Sequence, residues 1–121
     1  MIGTLLVCSS LIAVDGDTIK CDGQNLRDMG DGAPNISGYD TPESYGPECD
    51  YERDLARKAT IRMGELLRAP GLQIIDSGKR DRHKRPLVTA VLPDGRTIGS
   101  VLIAEGLAVK WVPGYQASWC K

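Results

Sequence analysis

The chain has 121 residues, with 15 Lys and Arg against 16 Asp and Glu, one His and four Cys. That length suits one domain over residues 1–121 and excludes a TIM barrel or a two-domain enzyme. No apolar run approaches the roughly 20 residues of a membrane helix, and 41% hydrophobic residues with regular turn signals exclude a disordered tail.

Leu5 to Val14 is aliphatic and β-branched and reads as a first strand. The N-terminal run that contains it lacks a basic leader region, so it reads as strand and not as an export signal. Asp15-Gly16-Asp17 marks a turn, Thr18 to Cys21 a second strand, Asp22-Gly23 a hairpin turn and Gln24 to Met29 a third strand. Gly30 to Asn35 holds too many breakers for regular structure. From Pro47 to Arg68 the period changes: Tyr51, Leu55, Ala59, Met63 and Leu66/Leu67 recur at helical spacing. Pro47 suits the first helical turn, and Ala69-Pro70-Gly71 ends the helix. Leu72 to Asp76 and Leu87 to Leu92 read as strands, Ile98 to Glu105 as a helix with Gly106 just beyond it, and Leu107 to Val112 as a final strand. The last nine residues read as irregular. The order β-β-β-α-β-β-α-β is mainly β with helices (α+β), and suits a five-stranded OB-fold barrel with two or three helices packed on it.

Cys8, Cys21, Cys49 and Cys120 form no C-x-x-C pair, which argues against a zinc ribbon. Three disulfide pairings are open. Cys8 and Cys21 flank a hairpin, so Cys8–Cys21 with Cys49–Cys120 is preferred. Two disulfides imply a periplasmic or extracellular location, with any export signal outside this sequence. The alternative is four buried thiols in a reducing cytosol.

The near-zero total hides a split. Residues 1–54 carry 11 acids and 3 bases, net −8, and residues 55–121 carry 5 acids and 12 bases, net +7. A carboxylate-rich half beside a cationic half fits a metal-assisted site acting on a polyanion. Two acidic clusters stand out, Asp15-Gly16-Asp17-Thr18 and Asp40-Thr41-Pro42-Glu43. Their oxygens suit a hard cation such as Ca2+, although the first departs from the EF-hand loop, with Ile19 and Lys20 at its fifth and sixth positions. Taken singly, the first is an ordinary turn and the second a helix-entry segment. The run Lys79-Arg80-Asp81-Arg82-His83-Lys84-Arg85 is either a solvated loop or a phosphate-attracting arm. Serine hydrolase chemistry would rest on His83 alone, without a G-x-S-x-G elbow.

The ordered set is more specific than its parts. Asp-Gly-Asp-Thr on a first hairpin, Arg27 ten residues after Asp17, then Asp-Thr-Pro-Glu, Tyr45-Gly46-Pro47-Glu48, a helix, Asp81-x-x-x-Arg85 and Glu105-Gly106-Leu107-Ala108 resemble the staphylococcal nuclease-like (thermonuclease) family over roughly residues 5 to 112. The resemblance implies a Ca2+-dependent nuclease hydrolysing phosphodiester bonds of DNA or RNA to 3′-phosphates. It implies Asp17, Asp40 and the Thr41 carbonyl as metal ligands, Glu43 as general base, and Arg27 and Arg85 as catalytic arginines. Asp15 and Asp81 would support them. Lys79, Arg80, Arg82, Lys84 and Tyr45 would bind nucleic acid. Tyr45 and Trp111 could stack on bases, but packing is the stronger expectation for both. The first arginine is read as Arg27 because position 35, five before Asp40, is Asn, and Gly30 to Ser37 is an insertion relative to shorter members. The expected partner is single-stranded DNA or RNA, with no membrane, and the expected state a monomer. The competing reading is a non-catalytic OB-fold module that binds single strands.

Overall fold

The computed structural model describes residues 3–120; Met1, Ile2 and Lys121 lie outside the described residues. Eight strands and two helices follow in chain order: β1 (Thr4–Leu6), β2 (Leu11–Ala13), β3 (Thr18–Cys21), β4 (Gln24–Asp28), β5 (Gly38–Asp40), α1 (Asp50–Leu66), β6 (Gln73–Arg80), β7 (Pro86–Val91), α2 (Ile98–Ala104) and β8 (Val109–Trp111). Neither helix is long and apolar enough to cross a membrane.

Six strands form one curled sheet in the order β1-β6-β7-β4-β3-β2, and β5 pairs with β8 in a separate ribbon. All pairings are antiparallel except β4 with β7. The fold is therefore α+β with a dominant sheet, as expected, but six strands share that sheet where five were expected.

The expected first strand is two strands. Ser9 and Ser10 donate their backbone N–H groups to the Asp22 carboxylate at 3.2 and 2.7 Å, and Cys8 is disulfide-bonded to Cys21. These bonds bend the chain at Val7–Ser10, so that β1 pairs with β6 while β2 pairs with β3. The two edges of the sheet are thus consecutive pieces of chain. Asp22 and Gly23 turn the next hairpin at φ 50° and 89°, a conformation that the short polar side chain and glycine both accept.

α1 starts at Asp50 and not at Pro47, because Cys49 is the N-cap: its backbone is extended and its Sγ accepts from the Glu52 N–H at 3.4 Å. Ala59, Met63, Leu66 and Leu67 are buried as the helical period expects, but in the first two turns Glu52 and Ala56 take the inward places expected of Tyr51 and Leu55, and Tyr51 is exposed. β6 runs four residues past Asp76, with an irregularity in its pairing to β7 before Arg80. Ile19, Leu26, Ile74 and Val88 from the sheet meet Met63 of α1 and Ile98, Val101 and Leu102 of α2. Each such fully buried aliphatic side chain contributes about 1.5–3 kcal/mol.

Both disulfides form as preferred, Cys8–Cys21 and Cys49–Cys120, and no described cysteine is free. The second ties the irregular tail after β8 to the cap of α1.

Candidate functional site

β4 sits between β3 and β7, and this placement assembles the site. Across the hairpin Arg27 is the register partner of Thr18, and on its other side it pairs with Leu87, two residues beyond Arg85. Strand alternation sends Leu26 and Asp28 into the core and leaves Arg27 on the opposite face. Arg27 donates from Nη1 to Asp17 Oδ2 at 2.6 Å and from Nη2 to the Tyr39 carbonyl at 2.5 Å. Thr18 Oγ1 donates to Asp17 Oδ1 at 3.1 Å and accepts from Arg85 Nη1 at 3.0 Å. Arg85 Nε in turn binds Asp81 Oδ2 at 2.8 Å. One hydrogen-bonded chain therefore links Asp81, Arg85, Thr18, Asp17, Arg27 and the backbone of β5.

The Asp15 carboxylate orders the preceding turn, accepting from the N–H groups of Asp17 (3.0 Å) and Thr18 (2.8 Å). Gly16 lets this turn approach the second acidic segment: a Cβ there would lie 2.6 Å from Thr41 Cγ2. Thr41 is buried, Asp40 half-buried, and the Thr41 N–H donates to Asp40 Oδ1 at 3.1 Å. Glu43 is exposed.

Burial pushes the Asp17 carboxyl well above its ordinary range; Arg27 opposes this, and Asp15 and Asp40 add to it. Asp40 is likewise raised by burial, against Arg27 and the Thr41 N–H. Glu43 is raised by partial burial and by repulsion from Asp40, Asp15 and Glu52. Asp81 behaves oppositely: burial pushes it up, but the N–H and guanidinium of Arg85 outweigh that and hold it below the usual range. A site crowded with strained carboxylates favours a cation, which would relieve each of them.

The donors are all oxygen, which fits a hard cation. Among the described residues no three His, Cys, Asp or Glu side chains converge as a ready-made cage. Asp17, Asp40 and the Thr41 carbonyl could supply part of a coordination shell, with water or substrate oxygens completing it.

A cleft of about 660 Å³ opens beside this chain of bonds, lined by Arg27, Asp40, Arg82, Arg85, Trp111 and Tyr115 among others. The loop before β5 and the tail after β8 both contribute to its walls, through Asn35, Ser37 and Pro113 to Gln116. Asn35 Nδ2 latches this loop to the Arg80 carbonyl at 3.2 Å, and Asp31 accepts from the Thr97 hydroxyl at 2.9 Å. Residues 30–37 thus form an ordered wall of the cleft, and Arg27 lies on β4.

The remaining expected residues divide. Lys79, Arg80 and Lys84 are exposed but do not line the cleft. Tyr45 is 94% exposed and also lies away from it, so the packing role expected for this tyrosine is wrong. Its loop stands outside the core because Gly46 and Pro47 hold it in an irregular turn ahead of the Cys49 cap. Trp111 is partly buried against the cleft.

Three residues escaped the sequence reading. Asp28, fully buried, accepts from the Tyr39 hydroxyl (2.8 Å) and the Ala90 N–H (3.1 Å). Burial raises its carboxyl to about 6 against those donors. Tyr39, also buried, has its hydroxyl 3.0 Å from the Gly16 carbonyl, and its ring fills a slot left by Gly99, where a Cβ would stand 2.6 Å from Cδ1. Glu52 binds the N–H groups of Glu43 and Glu48. An Asp at an inward position of a β pattern was the available signal for the first. No family model matches this chain, and no curated protein matches it.

Proposed function

We propose that this chain is a Ca2+-dependent nuclease of the staphylococcal nuclease-like family, cutting single-stranded DNA or RNA in an oxidising compartment such as the periplasm or cell exterior. On this reading the curled sheet is an OB-type barrel, closed where β1 and β2 meet as halves of one bent strand. The observation that carries the proposal is the hydrogen-bonded chain that runs from Arg85 through Thr18 and Asp17 to Arg27 and so sets both guanidinium groups beside the acidic turn. Arg27, Arg85, Asp17 and Asp81 are joined in that one network.

A phosphodiester is anionic and repels nucleophiles, so the site must first neutralise it. Ca2+ bound by Asp17, Asp40 and the Thr41 carbonyl would withdraw charge from a phosphoryl oxygen. Glu43, exposed and with its basicity raised by its surroundings, orients an attacking water and takes its proton. Arg27 and Arg85 hold positive charge where the equatorial oxygens gain negative charge, each with donor hydrogens left on its Nη atoms. Asp81 holds Arg85 by two bonds, from its N–H at 2.9 Å and its Nε at 2.8 Å, and Thr18 Oγ1 takes Nη1 at 3.0 Å, which leaves Nη2 for substrate. The exposed cations of the β6–β7 loop steer the polyanion, with binding that weakens steeply as salt rises.

Glu43→Gln should lower kcat on single-stranded DNA by about 10²-fold or more. Arg85→Ala should lower it by a comparable amount, about 10²–10³-fold. Full activity in both variants contradicts the assignment.

One observation favours the second reading, a non-catalytic single-strand binder. Arg27 already occupies Asp17 Oδ2, so the guanidinium neutralises that carboxylate without a cation. Such a module would bind single strands equally well in Ca2+ and in EGTA and release no cleavage products.

A further inference from the structure

Glu52 lies in the first turn of α1 and is 5% exposed, yet among the described residues no Lys, Arg or His forms an ion pair with it. A buried carboxylate without a cationic partner is unfavourable unless hydrogen bonds compensate it. Here two do. Oε2 accepts from the Glu43 N–H at 3.0 Å, and Oε1 accepts from the Glu48 N–H at 2.7 Å.

Helix capping alone does not account for this. Glu52 stands three residues after the Cys49 cap, where a capping-box Glu reaches back to the backbone N–H of the cap residue itself. Its bonds go instead to Glu48, one residue outside the cap, and to Glu43, six residues before it. They therefore bracket the irregular loop Glu43–Glu48. The Glu43 side chain is exposed, and among the described residues no hydrogen bond restrains its carboxylate. Its main chain therefore sets the point from which that side chain starts.

We propose that Glu52 is a positioning residue: its carboxylate clamps both ends of the Glu43–Glu48 loop and so sets the place of the Glu43 carboxylate in the site. The inference rests on the nuclease reading, because it assigns the clamp to the base of that reaction. Only a carboxylate long enough to present two acceptors can close both bonds. Glutamine offers one acceptor and turns its amide donors towards a backbone N–H.

Amide exchange and kinetics test it together. In the wild type the Glu43 and Glu48 amides should be protected, and Glu52→Gln should cost at least one of them about tenfold or more in protection while core amides such as Ile19 and Leu102 keep theirs. On single-stranded DNA, Glu52→Gln should lower kcat by roughly 10–100-fold, with KM and the Ca2+ dissociation constant unchanged. The double variant Glu43→Gln/Glu52→Gln should be no slower than Glu43→Gln alone, since Glu52 acts only through Glu43. An additive double variant, an unchanged kcat, or a KM and Ca2+ affinity that worsen in step would overturn the inference. Should Glu52→Gln fail to fold, unprotected Glu43 and Glu48 amides in the wild type would overturn it independently. A wild type with protected amides and no cleavage would overturn the nuclease reading while upholding the loop clamp.

Discussion

Replacing Arg27 with Ala removes two charge-assisted bonds, at 2.6 Å to Asp17 and 2.5 Å to the Tyr39 carbonyl. The Asp17 side chain is only 9% exposed, and that of Arg27 20%. The variant therefore strands a buried carboxylate, for which the usual cost is about 3–5 kcal/mol. Residual exposure of Arg27 places the expectation near the lower end, about 3 kcal/mol, or roughly 10 °C in Tm for a chain of this size. A cation at Asp17 changes the sign of the argument, since it can replace the lost positive charge. Ca2+ at a hundred times its Kd stabilises a binding-competent fold by about 2.7 kcal/mol. The variant should gain more from Ca2+ than the wild type, because Arg27 no longer competes for Asp17 Oδ2. Urea unfolding of both proteins, with intact disulfides, in EGTA and in Ca2+, measures all four stabilities. A loss below about 1 kcal/mol in EGTA would refute the buried pair. An equal Ca2+ gain in both proteins would refute a cation site at Asp17.

Two further outcomes follow from the same geometry. Asp28 has its folded pKa raised to about 6 from 3.8, so the folded state holds that proton more tightly than the unfolded chain. Its contribution is fully present below pH 3.8 and is lost as pH rises through about 6, so wild type should gain on Asp28→Asn by up to about 3 kcal/mol as pH falls across that window, read by urea midpoints at each pH. Replacing Cys49 and Cys120 with Ser opens a cross-link of sequence separation 71; it should cost about 4 kcal/mol on chain entropy, and should raise KM for single strands as the Pro113–Gln116 wall loosens. Unchanged KM would show that the tail wall takes no part in binding.

Local signals made much of the frame legible in the sequence. Asp22-Gly23 fixed a two-residue hairpin, and the ten-residue spacing of Asp17 and Arg27 becomes a side-chain ion pair because that hairpin sets Arg27 opposite Thr18, next to Asp17. The helical period from Leu55 to Leu66 located α1. What escaped was tertiary. β5 has three residues, too few to show any period, and exists because β8 pairs with it. The bend at Val7–Ser10 needs the Asp22 carboxylate as acceptor, twelve and thirteen residues away. Glu52 reads as an ordinary polar helix residue until the Glu43–Glu48 loop folds over it. Asp28 and Tyr39 find each other across the loop of residues 30–37.

The central claim is that carboxylates and arginines here act together on a phosphodiester. Incubating the wild-type protein with a defined single-stranded oligonucleotide, in Ca2+ and in EGTA, and identifying the termini of the products tests it most directly. Fragments are expected in Ca2+ alone, each new break carrying a 3′-phosphate and a 5′-hydroxyl. An oligonucleotide bound but left intact in Ca2+ would contradict it.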